Sequence, residues 1–124
     1  MECKAMCYAL RGATTVTEDS PLLIIEAVKE MFEKLLEVNN LTEDELAYIH
    51  FSETADLRSM NAASALRKGG HGSTVPLFCT QEADIEGMLG KCIRVLVLVN
   101  HGEITPPRMV YLNGASGLRK DIKG

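Results

Sequence analysis

Few residues in this chain combine a reactive type with a setting that could use it, and Arg94 comes first. It lies within Cys92-Ile93-Arg94-Val95-Leu96-Val97-Leu98-Val99, a run whose β-branched residues predict a strand. Period-two alternation puts Arg94 on the face of Leu96 and Leu98. An arginine on such a face needs an anion or carbonyl partners, because an unpaired buried charge is costly. A bound anion fits, and so does a structural salt bridge to Glu82 or Asp84. Arg11 precedes Gly12-Ala13-Thr14-Thr15. Small residues there either let a ligand approach the backbone or make a plain turn. Glu82 follows Cys79-Thr80-Gln81, just past an expected strand end. It is an acid with a task or a solvated loop carboxylate. Tyr111 alternates with Met109, and its hydroxyl serves a ligand or is satisfied in a core. Arg67 and Arg119 are further bases near Gly-rich segments, and most such residues are merely solvated.

Other chemistries lack their residues. His50, His71 and His101 show no ligand spacing, so no metal site is expected. Cys3, Cys7, Cys79 and Cys92 match no zinc pattern and include no Cys-x-x-Cys. Inside a cell they stay reduced, and most are expected as small buried hydrophobes. Cys79 has no evident base or helix N-terminus to activate it as a nucleophile. Gly69-Gly70-His71-Gly72-Ser73 lacks the lysine of a phosphate loop. Arginines, one carboxylate and one tyrosine remain, with no nucleophile and no cofactor signature. Such a set binds a polyanion and stabilises charge.

These residues need a scaffold, and 124 residues suffice for one domain. Hydrophobic residues make up 46% and charged residues 24%, an ordinary globular mix that excludes disordered, collagen-like and coiled-coil chains. No apolar run approaches the ~20 residues of a membrane span, and no signal peptide is evident. A soluble, cytoplasmic protein is expected. The net charge of −4 argues against a nucleic-acid partner. Residues 1–60 hold 12 acids and 5 bases, whereas residues 61–124 hold 5 acids and 8 bases. The spare cations of the second half suit a small anionic ligand.

The element order follows from patterning. Ala5 to Leu10 reads as a strand ending at Arg11-Gly12. Asp19 or Ser20 caps a helix that begins with Pro21 and stops at Asn39-Asn40. Ile24, Ile25, Val28, Phe32, Leu35 and Leu36 form its apolar face. Ala47–Ser52 predicts a second strand. Ala62–Lys68 predicts a short helix stopped by Gly69-Gly70. Val75–Cys79 predicts an edge strand because of Pro76. Ile93–Val99 and Arg108–Leu112 predict two more strands, the last followed by the turn pair Asn113-Gly114. The result is an α+β domain with helices on one face of a mixed sheet. The other face is left bare, which predicts oligomerisation.

Four segments, in order and in register, are similar to one known family. Arg11-Gly12-Ala13-Thr14-Thr15-Val16, Cys79-Thr80-Gln81-Glu82, Lys91-Cys92-Ile93-Arg94-Val95 and Val110-Tyr111-Leu112 resemble the monofunctional AroH-type chorismate mutases. The resemblance spans about Cys7 to Arg119. It implies an isomerase that converts chorismate to prephenate by an intramolecular Claisen rearrangement, on the route to phenylalanine and tyrosine. It also implies a homotrimer with a barrel-like core and active sites between subunits, without a cofactor.

By motif match, the resemblance implies that Arg94 donates to the ether oxygen and a carboxylate. Arg11 and Tyr111 would bind carboxylates. Glu82 would accept from the substrate hydroxyl and orient Arg94, and Cys79 would be a wall residue. Ala63 and Arg67 would line the mouth, Arg67 from the neighbouring subunit. Leu118 and Arg119 would match the start of the family's mobile tail, which covers the site, and residues 115–124 would be flexible. The chain departs from the family at the mouth. Asn61-Ala62-Ala63 replaces Phe-Pro-Ala, Ser64 stands where some members have a base, and His71-Gly72 replaces a Gly-Trp pair. Two other readings stay open: a non-catalytic trimer that binds chorismate or prephenate, and a small trimeric imine deaminase.

Overall fold

The computed structural model describes residues 7–100 and 106–118. Five strands form one mixed sheet: β1 (Cys7–Thr15), β2 (Leu46–Glu53), β3 (Leu77–Gln81), β4 (Cys92–Asn100) and β5 (Val110–Tyr111), in the spatial order β3-β2-β4-β1-β5. The central strand β4 runs antiparallel to β1 and β2, whereas β3 and β5 pair in parallel at the two edges. Two helices, α1 (Pro21–Asn39) and α2 (Ala62–Lys68), cover one face.

The helix ends lie where their chemistry requires. Ser20 caps α1 by accepting from the Leu23 N–H, and Asn40 stops it in the left-handed conformation, at φ 54°. Asp19, the other capping candidate, instead accepts from the Arg58 and Ser59 backbone and holds that loop. Asn61 caps α2, its Oδ1 accepting from the Ala63 and Ser64 N–H groups. The last residue of α1 also places β5. The Asn39 amide bonds the Leu35 carbonyl and both backbone groups of Arg108, all at 2.8 Å.

The core lies between helices and sheet. Ile24, Val28, Met31, Phe32 and Leu35 of α1 meet Leu10, Ile49, Phe51, Ile93 and Val97, all at 0% exposure. These are the alternate residues of each strand, as a one-sided sheet demands.

Three strands, β1, β3 and β5, differ from expectation by more than a single residue at an end. β1 does not end at Arg11-Gly12 but continues to Thr15. Gly12 is not a turn residue. A Cβ there would stand 3.1 Å from the Val110 carbonyl oxygen and 3.2 Å from Val95 Cγ1, tight contacts that would press β5 or Val95 away by a few tenths of an ångström. β3 begins at Leu77, immediately after Pro76, because proline cannot donate to the ladder. β5 shortens to two residues. Beyond it, Leu112–Leu118 folds back over the end of β1. Ala13, Cys92 and Ala115 form a second, small apolar cluster there, with Leu118 packed against it.

Candidate active site

The bare face of the sheet follows from the strand register. Arg94 on β4 lies opposite Ala13 on β1 and Ser52 on β2. One step along, Leu96 lies between Arg11 and His50. Tyr111 on β5 pairs with Ala13. Side chains at these positions share one face, opposite the helices. A cavity of about 350 Å³ opens among them, lined by Arg11, Gly12, His50, Ser52, Arg94, Val95, Leu96 and Tyr111.

Glu82 arrives from the far edge. Its N–H bonds the Glu53 carbonyl at 2.8 Å, just past the end of β3. The chain then loops out through Ala83–Lys91 and returns as β4. Asp56 pins that return by accepting from the Lys91 N–H at 2.8 Å. The Thr54 hydroxyl, then the Lys91 N–H, hold the Asp56 carboxyl below its ordinary value of 3.8 against the opposing effect of burial. Glu82 therefore reaches Arg94, with Oε1 2.6 Å from Nε. The Glu82 side chain is 12% exposed and the Arg94 side chain 33%. A charge-assisted bond of this length fixes the guanidinium plane. The bond is made through Nε, and a guanidinium has two further nitrogens that can donate to another acceptor. The salt bridge to Glu82 and the anion site are thus compatible readings of Arg94.

Arg94, Glu82, Arg11 and Tyr111 come together as expected. The other expected residues lie elsewhere. Cys79 pairs with Phe51, which places it on the helix side of the sheet at the β3 edge. Its Sγ donates to Glu53 Oε1 at 3.1 Å. Contrary to expectation, a helix N-terminus does stand near it, linked through Glu53 Oε1, and its Ala62 and Ala63 N–H groups favour the thiolate. The thiol is nevertheless pushed up to about 11, first by burial and then by the Glu53 hydrogen bond and charge. It is not a nucleophile at neutral pH. Ala63 is 8% exposed in the first turn of α2 and Arg67 is exposed in its last turn, both in the helix layer of this chain. Leu118 is half-buried against the small cluster, and Arg119 lies outside the described residues. Four residues of the expected tail, 115–118, are folded, and Ala115 is fully buried.

His50 and Ser52 belong to the cavity and were missed as site residues. The alternation of Leu46–Glu53 carries the signal, but only the register of β2 on β4 puts these two on the face of Arg94. His50 bonds Thr80 Oγ1 at 3.1 Å and stacks edge-on against Phe78.

A half-open sheet face that presents two arginines, one of them fixed by a carboxylate, and a tyrosine defines a class: a site that holds an anionic small molecule and stabilises charge. Comparison with known proteins narrows the class. The family model of chorismate mutase type I matches residues 7–122. The chain is 36% identical over 118 residues to the chorismate mutase AroH of Bacillus subtilis, covering 94% of this chain and 93% of that protein. It is 41% identical over 122 residues to the chorismate mutase AroH of Thermus thermophilus, covering 95% and 98%. A solved chorismate mutase from Clostridium thermocellum superposes with a TM-score of 0.82 at 38% identity, covering 87% of this chain and 96% of that one. The chain belongs to the chorismate mutase type I family.

Proposed function

We propose that this protein is a chorismate mutase, an isomerase of aromatic amino-acid biosynthesis, and that it acts in the cytoplasm as a homotrimer. The observation that carries the mechanism is the Arg94–Glu82 pair beside Arg11 and Tyr111 on the uncovered sheet face.

The reaction asks for little else. Chorismate is a dicarboxylate, so cations and a phenol suit it. As its ether C–O bond breaks and a C–C bond forms, negative charge develops on the ether oxygen. No proton is transferred and no nucleophile is needed. Arg94 donates to that oxygen, and Glu82 holds the guanidinium so that it need not reorganise during the reaction. Arg11 and Tyr111 take carboxylates and select the compact reactive conformer. Glu82 also accepts from the substrate hydroxyl.

The trimer answers the bare face. Phe78 is 62% exposed and Leu96 37% exposed on it, an arrangement that suits burial against further copies of the sheet. Ala63 then lines the mouth and Arg67 contributes to the site of a neighbour, with Leu118 and Arg119 closing it. Cys79 is a wall residue by the hydroxyl region.

The test is direct. Purified protein is mixed with chorismate, prephenate is measured, and sedimentation gives the mass under assay conditions. Turnover by a species of three chains supports the reading. Tight calorimetric binding of chorismate without turnover contradicts it in favour of a binding protein, and a monomer with full turnover contradicts the shared site.

A further inference from the structure

We infer that Glu53 is a positioning residue of this site: its buried side chain ties the first turn of α2 to Cys79 while its backbone carbonyl holds Glu82. The inference rests on the chorismate mutase reading and names a residue that reading does not use.

Glu53 ends β2 opposite Ile93, on the helix side of the sheet, and is 7% exposed. Neighbouring positions on that side are Phe51 and Ile49, both fully buried. A carboxylate is an expensive occupant there unless hydrogen bonds compensate it. Compensation is partial. Oε1 accepts from the Ala62 N–H at 2.9 Å and from the Cys79 thiol at 3.1 Å. Oε2 is buried and has no hydrogen-bond partner among the described residues. A well-packed apolar side chain would serve stability as well or better. What the glutamate supplies is a fixed geometry.

That geometry links candidate site residues that are far apart in sequence. Asn61 satisfies the Ala63 and Ser64 N–H groups, and Glu53 satisfies the remaining N–H of that turn, at Ala62. The turn carrying Ala63 is thereby held against β3 at Cys79. On the backbone, the Glu53 carbonyl accepts the Glu82 N–H at 2.8 Å. Glu82 in turn orients Arg94. A displacement of Glu53 therefore moves Ala63, Cys79 and the carboxylate behind the catalytic arginine together. Misplacement by about 1 Å costs up to roughly a hundredfold in such sites.

The experiment compares Glu53→Gln and Glu53→Ala with the parent protein. Glutamine keeps the acceptor at Oε1 and loses only the charge, whereas alanine loses both. Expected are kcat/KM for chorismate within about threefold of the parent in Glu53→Gln, and a loss of roughly 10- to 100-fold in Glu53→Ala. Independently of turnover, peptide-resolved alkylation of Cys79 across pH should shift to lower pH in Glu53→Gln, and further in Glu53→Ala. The alkylation readout also applies to a Glu53→Ala protein that is less stable but still folded. Equal kcat/KM in all three proteins, equal loss in both variants, or an unmoved Cys79 profile overturns the inference. A parent without turnover overturns the functional reading, and is told apart because the Cys79 profile would still shift between parent and variants.

Discussion

Ile93, Val95, Val97 and Val99 on β4 are at most 4% exposed, whereas Leu96 on the other side of the same strand is 37% exposed. The contrast runs across the whole sheet. Under the helices, every strand contributes apolar side chains, and the buried polar exceptions include Thr14, which accepts from the Asn113 amide, and Glu53, bonded through one of its two carboxylate oxygens. Away from the helices, Arg11, His50, Ser52, Arg94 and Tyr111 share the surface with Leu96 and Phe78. Among the described residues, the segment around Ala115 and Leu118 covers the end near Ala13. One face is finished by its own chain and stores the stability. The other is unfinished, and its charges are held in place by that rigid backing without being neutralised by it. Separation of this kind lets a site keep a partly exposed arginine without weakening the core.

Substitutions on the two faces should therefore fail differently. Phe51 is fully buried on the helix side, and Phe51→Ala should cost about 3–5 kcal/mol of stability. Denaturant unfolding measures it, and the fraction that remains folded should keep its kcat. Glu82→Gln removes the charge that fixes Arg94. It should lower kcat about tenfold or more while the unfolding midpoint stays within experimental scatter, and steady-state kinetics beside a melt would show a stability loss instead if the pair were merely structural. Turnover of the unaltered protein should change little between about pH 6 and 8, since an intramolecular rearrangement of chorismate transfers no proton. A bell-shaped profile would place proton transfer on the bare face. The smallest effect is expected at Asp56, which serves neither face but ties the loop between them. Its carboxyl lies below the ordinary 3.8, so its contribution is present above about pH 4 and is lost as pH falls through its folded value. Asp56→Asn should lower Tm modestly at pH 7, and the difference should close on acidification.

Much of this contrast can be read in the sequence. The α1 boundaries are explicit, because Ser20-Pro21 and Asn39-Asn40 are local signals and local contacts obey them. The α2 span Ala62–Lys68 is likewise local. Alternation on β4 assigns Arg94 to the face of Leu96. What escaped was set by distant contacts. Gly12 resembles a strand break until Val110 and Val95 are seen to press on it. His50 and Ser52 enter the site only through the register of β2 on β4, which no local pattern states. Cys79 lacks a helix N-terminus in sequence, since α2 reaches it only after folding, through Glu53. Asn61 looks like a change at the mouth of the site, yet in this chain its side chain caps α2.

The electrostatic role of Arg94 is tested most directly by the kcat of Arg94→Ala with chorismate, measured at a concentration where sedimentation shows the same assembly as the unaltered protein. A fall of about 10²–10³ or more with an unchanged melting curve is the expected result. Unchanged turnover, or a loss that follows unfolding, would contradict charge stabilisation by the bare face.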